Sequence, residues 1–361
     1  MKRLSSIVLV LAAHVLVITV MIGGCPEAFR LSTSSDRASS AGQGGQRSEE
    51  SSSSEALGTA NDNDSSANEQ GDPRQAPANS EANRLKEETF DEVAQTLPSD
   101  LAERAARIPK AGVVIDWTAR KVLWSKNESE VLPIASLTKM MTSLLVAERV
   151  ETAPDWSWDR EIPVTESAWK IGGSQVWLDP REVFTVEELL KATLIFSAND
   201  AAYLLAEATA NGNVSEFVSR MNRKARQLGL SGMRFANPHG LPESQAENDN
   251  HGTALEVAFL AAQLMDVPRI VKYTSTRLDW LRQDTDQPLQ LLNRNPLVVA
   301  QVPGVNGMKT GFTARAGFCI AATSTREQRS LIVVLLGCER KDNRNDLVRD
   351  LLEWGYSTGT G

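Results

Sequence analysis

Cysteine is scarce in this chain: three among 361 residues, Cys25, Cys319 and Cys338. No two stand in a CxxC spacing, which argues against a zinc ribbon or a thioredoxin-like redox centre. Cys319 and Cys338 lie in apolar runs and read as small buried hydrophobes with free thiols. Histidine is equally scarce, and His14, His239 and His251 lack metal-ligand spacing, so no metal site is expected. Positive charge is not in excess. Lys and Arg total 38 against 46 Asp and Glu, a formal net charge of -8, which argues against nucleic acid as a partner. Aromatic residues make up 6% of the chain, no internal repeat is apparent, and no organic cofactor is indicated.

What is present begins with an export signal. Lys2 and Arg3 precede a stretch, 7–22, that is apolar except for His14 and Thr19; Gly23, Gly24 and Cys25 follow. A basic start, an apolar centre and small residues fit a secretory signal. Ile22-Gly23-Gly24-Cys25 also resembles a bacterial lipobox, which makes Cys25 a lipidation candidate. Simple cleavage and an uncleaved anchor, for which the stretch is barely long enough, are the alternatives. Residues 1–25 are therefore read as a signal peptide, lipoprotein signal or N-terminal anchor. Residues 26–86 are rich in Ser, Asn, Gly, Gln, Glu and Asp and poor in apolar groups. They cannot bury enough surface to offset ordering entropy and read as a disordered linker. A coil of about 50 residues reaches roughly 40 Å root-mean-square. The expectation is an exported, periplasmic or cell-envelope protein that meets the membrane through its N-terminus.

Residues 87–361 read as one folded domain. A helical lead-in is expected over 87–106, strands over 111–115 and 122–124, and a helix over 136–150 that is apolar on nearly every side and hence central. Thr185-Val186-Glu187-Glu188 is a capping-box start for a helix to about Phe196. Further helices are expected over 200–210, 214–228 and 348–354, and a hairpin joins 318–323 to 331–336. Helices in the middle with strands at both ends predict an α/β fold: a mainly antiparallel sheet flanked by helices, with a helical subdomain.

Three motifs follow in order: Ser136-Leu137-Thr138-Lys139 (SxxK), Ser197-Ala198-Asn199 (SxN) and Lys309-Thr310-Gly311 (KTG). This set is a known signature of penicillin-binding proteins and class A β-lactamases. Singly the first two are weak, because Ser167-Ala168-Trp169-Lys170 and Ser66-Ala67-Asn68 match them too. Ser136 and Lys139, three apart at a helix start, share one face. A serine hydroxyl needs an adjacent base, and a lysine serves if burial or a second cation, for which Lys309 is the candidate, keeps it neutral. The Ser136 amide is a ready oxyanion donor. Ser197 and Asn199 read either as an N-cap for the next helix or as a proton relay and a substrate-amide ligand. The KTG segment is expected to begin a strand. Gly311 admits another backbone, Thr310 and Lys309 offer a hydroxyl and a cation to a carboxylate, and the segment can accept substrate as an extra strand. A glycine-marked turn with an exposed lysine is the plainer alternative.

Longer stretches carry a resemblance. Pro133-Ile134-Ala135-Ser136-Leu137-Thr138-Lys139-Met140-Met141-Thr142, Ser197-Ala198-Asn199-Asp200-Ala201-Ala202, Asn237-Pro238-His239-Gly240-Leu241 and Gly304-Val305-Asn306-Gly307-Met308-Lys309-Thr310-Gly311-Phe312-Thr313 resemble segments of the low-molecular-weight penicillin-binding proteins, the serine D-Ala-D-Ala carboxypeptidases. The resemblance runs from about Pro109 to Tyr356 and implies a β-lactamase/DD-peptidase-like fold. It implies acylation of Ser136 by peptidoglycan stem peptides, release of D-Ala and hydrolysis of the acyl-enzyme. It also implies Lys139 as base, the amides of Ser136 and Phe312 as the oxyanion hole, and β-lactams as inhibitors. Arg344, ten residues before Trp354, has the spacing of the family's carboxylate-binding arginine, with a solvated surface arginine as the alternative. His239 reads as structural. Two departures stand out. Phe312 replaces a residue that is often polar, and the chain ends soon after Tyr356, so the family's second, all-β domain and membrane helix are not expected. A β-lactamase shares the three motifs, but no ExxLN follows Asn199 to activate a deacylating water. A DD-endopeptidase uses the same site. A non-catalytic wall- or β-lactam-binding module would have no need of the lysine base.

Overall fold

The computed structural model describes residues 90–92 and 96–359. The expected signal, linker and Cys25 lie outside the described residues. Six strands form one sheet: β1 (Asp91–Glu92), β2 (Ala111–Asp116), β3 (Lys121–Lys126), β4 (Val305–Thr313), β5 (Gly317–Arg326) and β6 (Arg329–Cys338). Their spatial order is β1-β3-β2-β6-β5-β4. Only β1 on β3 is parallel; the other four pairings are antiparallel. The hairpin expected near 318–336 is β5–β6, with Arg326 facing Arg329 across the turn.

The main helices are α1 (Ser99–Arg107), α2 (Lys139–Thr152), α3 (Val186–Lys191), α4 (Asn199–Thr209), α5 (Val214–Gln227), α6 (Ala254–Met265) and α7 (Lys341–Ser357). Strand β6 explains their placement. Its side chains alternate between faces, and Leu331, Val333 and Leu335 on one face are as fully buried as Ile332, Val334 and Leu336 on the other. A sheet apolar on both faces needs a cover on each. Leu101 of α1 and Leu347 and Leu351 of α7 cover the first face. Val257 and Ala261 of α6 cover the second, and the helical lobe of α2 to α5 packs beyond it. Helix α2 runs through the middle of that lobe and is buried from Lys139 to Leu144. Helix α5 is amphipathic, burying Phe217, Met221 and Ala225 at helical spacing. The capping box of α3 is present: Glu188 N donates to Thr185 Oγ1 at 3.2 Å and Thr185 N donates to Glu188 Oε2 at 2.8 Å.

Three expectations are corrected. Among the described residues of the lead-in, the helix starts at Ser99, because Pro98 disfavours helical geometry in the residue before it, and Asp91–Glu92 pairs instead with Lys121 and Val122. The KTG segment does not begin a strand; it sits in the middle of β4, which is the edge strand on that side of the sheet. The closing helix starts at Lys341, seven residues before the expected position, so it contains Arg344.

The loop 237–241 fixes the entry to α2. Gly240 has φ +85°, and a Cβ there would lie 2.0 Å from the Ala135 carbonyl oxygen and 2.9 Å from Ser136 N. Its N–H donates to Asn237 Oδ1 at 2.7 Å, while Thr142 Oγ1 donates to the Pro238 carbonyl at 2.6 Å. Asn250 closes the arrangement by donating to Thr138 Oγ1 and to the Asn237 carbonyl. Gly212 provides a comparison, since its φ of +88° is similar but nothing surrounds its Cβ position within 4 Å. Gly212→Ala should cost roughly 1–2 kcal/mol, the left-handed penalty alone. Gly240→Ala should cost clearly more in thermal or denaturant unfolding, because backbone must also move. Equal losses in the two variants would contradict this account of the loop.

Candidate active site

The three motifs come from separate elements and converge. Ser136 lies in a 3-10 turn, Ala135–Thr138, and α2 begins at Lys139 rather than at the serine. Residues three apart eclipse in such a turn, which places the two side chains together. Lys139 Nζ lies 3.1 Å from Ser136 Oγ. The same amine donates to Asn199 Oδ1 at 2.7 Å and to the His239 carbonyl at 2.6 Å. The lysine is fully buried. Burial first, and the neighbouring Lys309 cation second, hold its pKa well below the ordinary lysine value, against a smaller opposing pull from Asp200.

The second motif follows α3, whose continuation widens into a π-turn over Ala192–Phe196 and ends at Ser197 in the left-handed region, φ +67°. Neither Ser197 nor Asn199 caps the following helix. The N-cap position is Ala198, with no side-chain cap. Asn199 is engaged at three points: Oδ1 accepts from Lys139, Nδ2 donates to the Gly172 carbonyl at 2.8 Å, and its backbone N–H donates to the Ser174 carbonyl at 2.7 Å. Asp200, not singled out in the sequence, is buried beside it. Its carboxylate accepts from Val176 N, Leu178 N and Ala201 N, and burial pushes its pKa up. Its only sequence signal is its place directly after SxN.

In β4, Lys309 is buried, and burial followed by the Arg294 and Arg344 cations lowers its pKa to about 7. Its Nζ donates to the Thr310 carbonyl at 2.8 Å. A Cβ on Gly311 would meet Ser136 N at 3.0 Å and the Ile134 carbonyl at 3.1 Å, so the backbone that this glycine admits is the Ile134–Ser136 segment of the same chain. Phe312 is 56% exposed and stacks on Phe318 with ring centroids 4.3 Å apart.

Arg344 is not a solvated surface residue. It is 3% exposed, with Nη1 donating to the Cys319 carbonyl at 2.9 Å and Nη2 to Asn345 Oδ1 at 2.6 Å. The exposed cation at this edge is Arg294, which sequence reasoning missed. Its carbonyl accepts from Thr310 Oγ1 at 3.4 Å, and its guanidinium lies 4.1 Å from the Phe196 ring centroid. No motif marks it; only folding brings it beside KTG. His239 contributes its carbonyl to Lys139, while its imidazole is buried, accepts from Leu241 N, and is held down to about 3, hence neutral. Cys319 and Cys338 are free buried thiols, pushed by burial to about 11 and about 12.

A serine hydroxyl against a buried amine, beside a strand edge with cationic side chains, suits acyl transfer at a peptide that ends in a carboxylate. The comparisons agree. The family model described as D-alanyl-D-alanine carboxypeptidase matches residues 100–340. The D-alanyl-D-alanine carboxypeptidase DacF of Bacillus subtilis is 38% identical over 259 residues, covering 72% of this chain and 64% of that protein. The chain thus spans just under two thirds of that relative's length. A crystal structure of penicillin binding protein 5 from Haemophilus influenzae matches with a TM-score of 0.65 at 30% identity over 73% of each chain. Penicillin-Binding Protein D2 from Listeria monocytogenes, in an ampicillin-bound form, matches with a TM-score of 0.60 at 27% identity, over 69% of this chain and 97% of that one. The fold is therefore the β-lactamase/DD-peptidase-like one expected, and the chain belongs to the D-alanyl-D-alanine carboxypeptidase family.

Proposed function

We propose that the chain is a serine D-alanyl-D-alanine carboxypeptidase, which removes the terminal D-alanine from peptidoglycan stem pentapeptides and is acylated by β-lactams. The observation that carries this reading is the environment of Lys139. Two fixed acceptors, Asn199 Oδ1 and the His239 carbonyl, take two of its N–H bonds. In the neutral amine the remaining tetrahedral position holds the lone pair and faces Ser136 Oγ. Burial and Lys309 favour that neutral form.

In acylation, Lys139 takes the Ser136 hydroxyl proton as Oγ attacks the carbonyl carbon of the penultimate D-Ala. The amides of Ser136 and Phe312 receive the developing oxyanion. The C–N bond breaks, and the proton passes from the lysine through the Ser197 hydroxyl to the leaving amine, so free D-alanine departs. In deacylation a water attacks the ester, gives a proton to Lys139 and restores the Ser136 hydroxyl. In a β-lactam the broken amide leaves its amine tethered, so the ester persists. Asn199, occupied at both ends of its side chain, orients the base. Thr310 and Arg294 receive the substrate carboxylate at the open edge of β4. Lys309 supports them from below, and Arg344 acts through Lys309. The basic, apolar start of the chain supports export, Cys25 supports lipid attachment, and residues 26–86 would then form the tether. No helix among the described residues is long and apolar enough to cross a membrane.

Intact-mass analysis after incubation with a fluorescent penicillin should show one lasting adduct on the full chain and none on Ser136→Ala. Fast drug turnover without an adduct would instead indicate a β-lactamase. The pH profile of kcat/KM for D-Ala release should be bell-shaped. The rate rises as Lys139 loses its proton, below the ordinary lysine range, and falls as Lys309 loses its own at about 7. In Lys309→Met the acid limb should move to higher pH, because a cation that lowers the Lys139 pKa is gone; an unmoved limb would argue against Lys139 as the base. Arg294→Ala should raise KM for the pentapeptide by roughly tenfold, the scale of one lost charged hydrogen bond. An unchanged KM would show that the carboxylate binds elsewhere.

A further inference from the structure

Beyond the SxN motif the loop 172–182 presents one side chain in an unusual way. Trp177 is 63% exposed and has φ +54°, a left-handed conformation that is an outlier for a bulky residue. Both sides of it are clamped. Asp200 accepts from Val176 N and Leu178 N. Arg282, at the end of the strand Leu278–Leu281, donates to the carbonyls of Val176 at 3.0 Å and Trp177 at 2.9 Å. Arg282 is itself held by Glu182 through two bonds, of 2.5 and 2.7 Å. A strained backbone held by a buried carboxylate and a largely buried guanidinium, with a large indole aimed at solvent, is a structure built to present that indole.

Trp177 walls a cleft of about 490 Å³, within the size range of small-ligand sites. Planar polar groups of Asp179, Glu182, Arg282 and Gln287 and the apolar ring of Pro288 line it. Its charges are largely spent on each other: Asp179 pairs with Arg181, and Glu182 with Arg282. A cleft with one flat aromatic wall, a rim of planar hydrogen-bonding groups and few unpaired charges suits a ligand with an apolar face and hydroxyl or amide edges. Sugar rings have that character; a charged peptide side chain does not. One lining residue of the cleft, Val176, belongs to the same loop as Ser174, whose carbonyl accepts from Asn199 N at 2.7 Å.

We infer that the Trp177 cleft is a saccharide subsite that binds N-acetylated sugar of the glycan strand carrying the stem peptide. This deepens the carboxypeptidase reading and rests on it. Trp177 offers its face to the pyranose ring, and the polar rim takes the hydroxyl and acetamido groups.

The test compares D-Ala release by the full chain from a free stem pentapeptide and from the same pentapeptide on an N-acetylglucosaminyl-N-acetylmuramoyl disaccharide. The native chain should favour the disaccharide substrate in kcat/KM. Trp177→Ala should lose that preference by roughly three- to tenfold, the scale of one aromatic contact, chiefly through KM, and Trp177→Phe should recover part of it. A native chain with no preference overturns the subsite, as does an equal fall on both substrates, which would place Trp177 against the peptide or in the support of the loop. Direct calorimetric binding of the peptide-free disaccharide to the Ser136→Ala chain, with and without Trp177→Ala, supplies a readout independent of turnover. Release of D-Ala from neither substrate by the native chain would sink the carboxypeptidase reading; disaccharide binding weakened by Trp177→Ala would then still uphold a saccharide site, and its absence would overturn that as well.

Discussion

A lysine amine buried away from solvent is the constraint on which the site depends. An exposed lysine carries a proton at neutral pH and cannot accept one from serine; a buried lysine can, because the charged form has lost its solvation. Burial alone would leave polar hydrogens unsatisfied, at a cost in stability. Asn199 and the His239 carbonyl remove that cost and at the same time aim the amine at Ser136. One arrangement therefore satisfies the buried amine and sets its direction.

The rest of the architecture can be understood as holding the walls around that amine. Helix α2 is surrounded by the helical lobe, so its first residue is enclosed on the lobe side. The edge strand β4 closes the other side and approaches so closely that a Cβ on Gly311 would stand 3.0 Å from Ser136 N. The loop 237–241 supplies the third wall, and Gly240 meets the same constraint from the opposite direction. An edge strand also leaves backbone hydrogen-bonding groups unpaired on its outer side.

The field at the site is graded through a row of cations. Arg294 and Arg344 lower the pKa of Lys309, and Lys309 in turn lowers that of Lys139. Asp200 pulls the other way on Lys139, but its carboxylate is engaged by three backbone amides of its own helix and the neighbouring loop. A single buried acid thus secures the loop that supports Asn199 and opposes the lowering of the Lys139 pKa. Arg282 grips the same loop from the far side, so the wall of the site and the cleft at Trp177 share one mechanical support.

Much was legible in the sequence because it depends on short-range pattern. The largely apolar character of α2, the capping box at Thr185 and the β5–β6 hairpin are local signals; the hairpin and the start of α3 stand where their patterns placed them, while α2 begins three residues later than expected and α3 gives way to a π-turn after Lys191. Ser136, Lys139, Ser197, Asn199 and Lys309 were named because the motifs are contiguous, and the apolar setting of α2 argued for an enclosed lysine. The remainder depends on what packs against what. That Asn199 turns to the lysine, that Arg344 is sealed beneath β5 while Arg294 faces out, and that KTG lies mid-strand at an edge are results of burial and long-range contact. The sequence by itself determined which groups are candidates for the chemistry, since intrinsic reactivity belongs to residue type and near spacing. Tertiary structure alone decided which of them are buried, paired or open to solvent, because solvation is set by neighbours that lie far away along the chain.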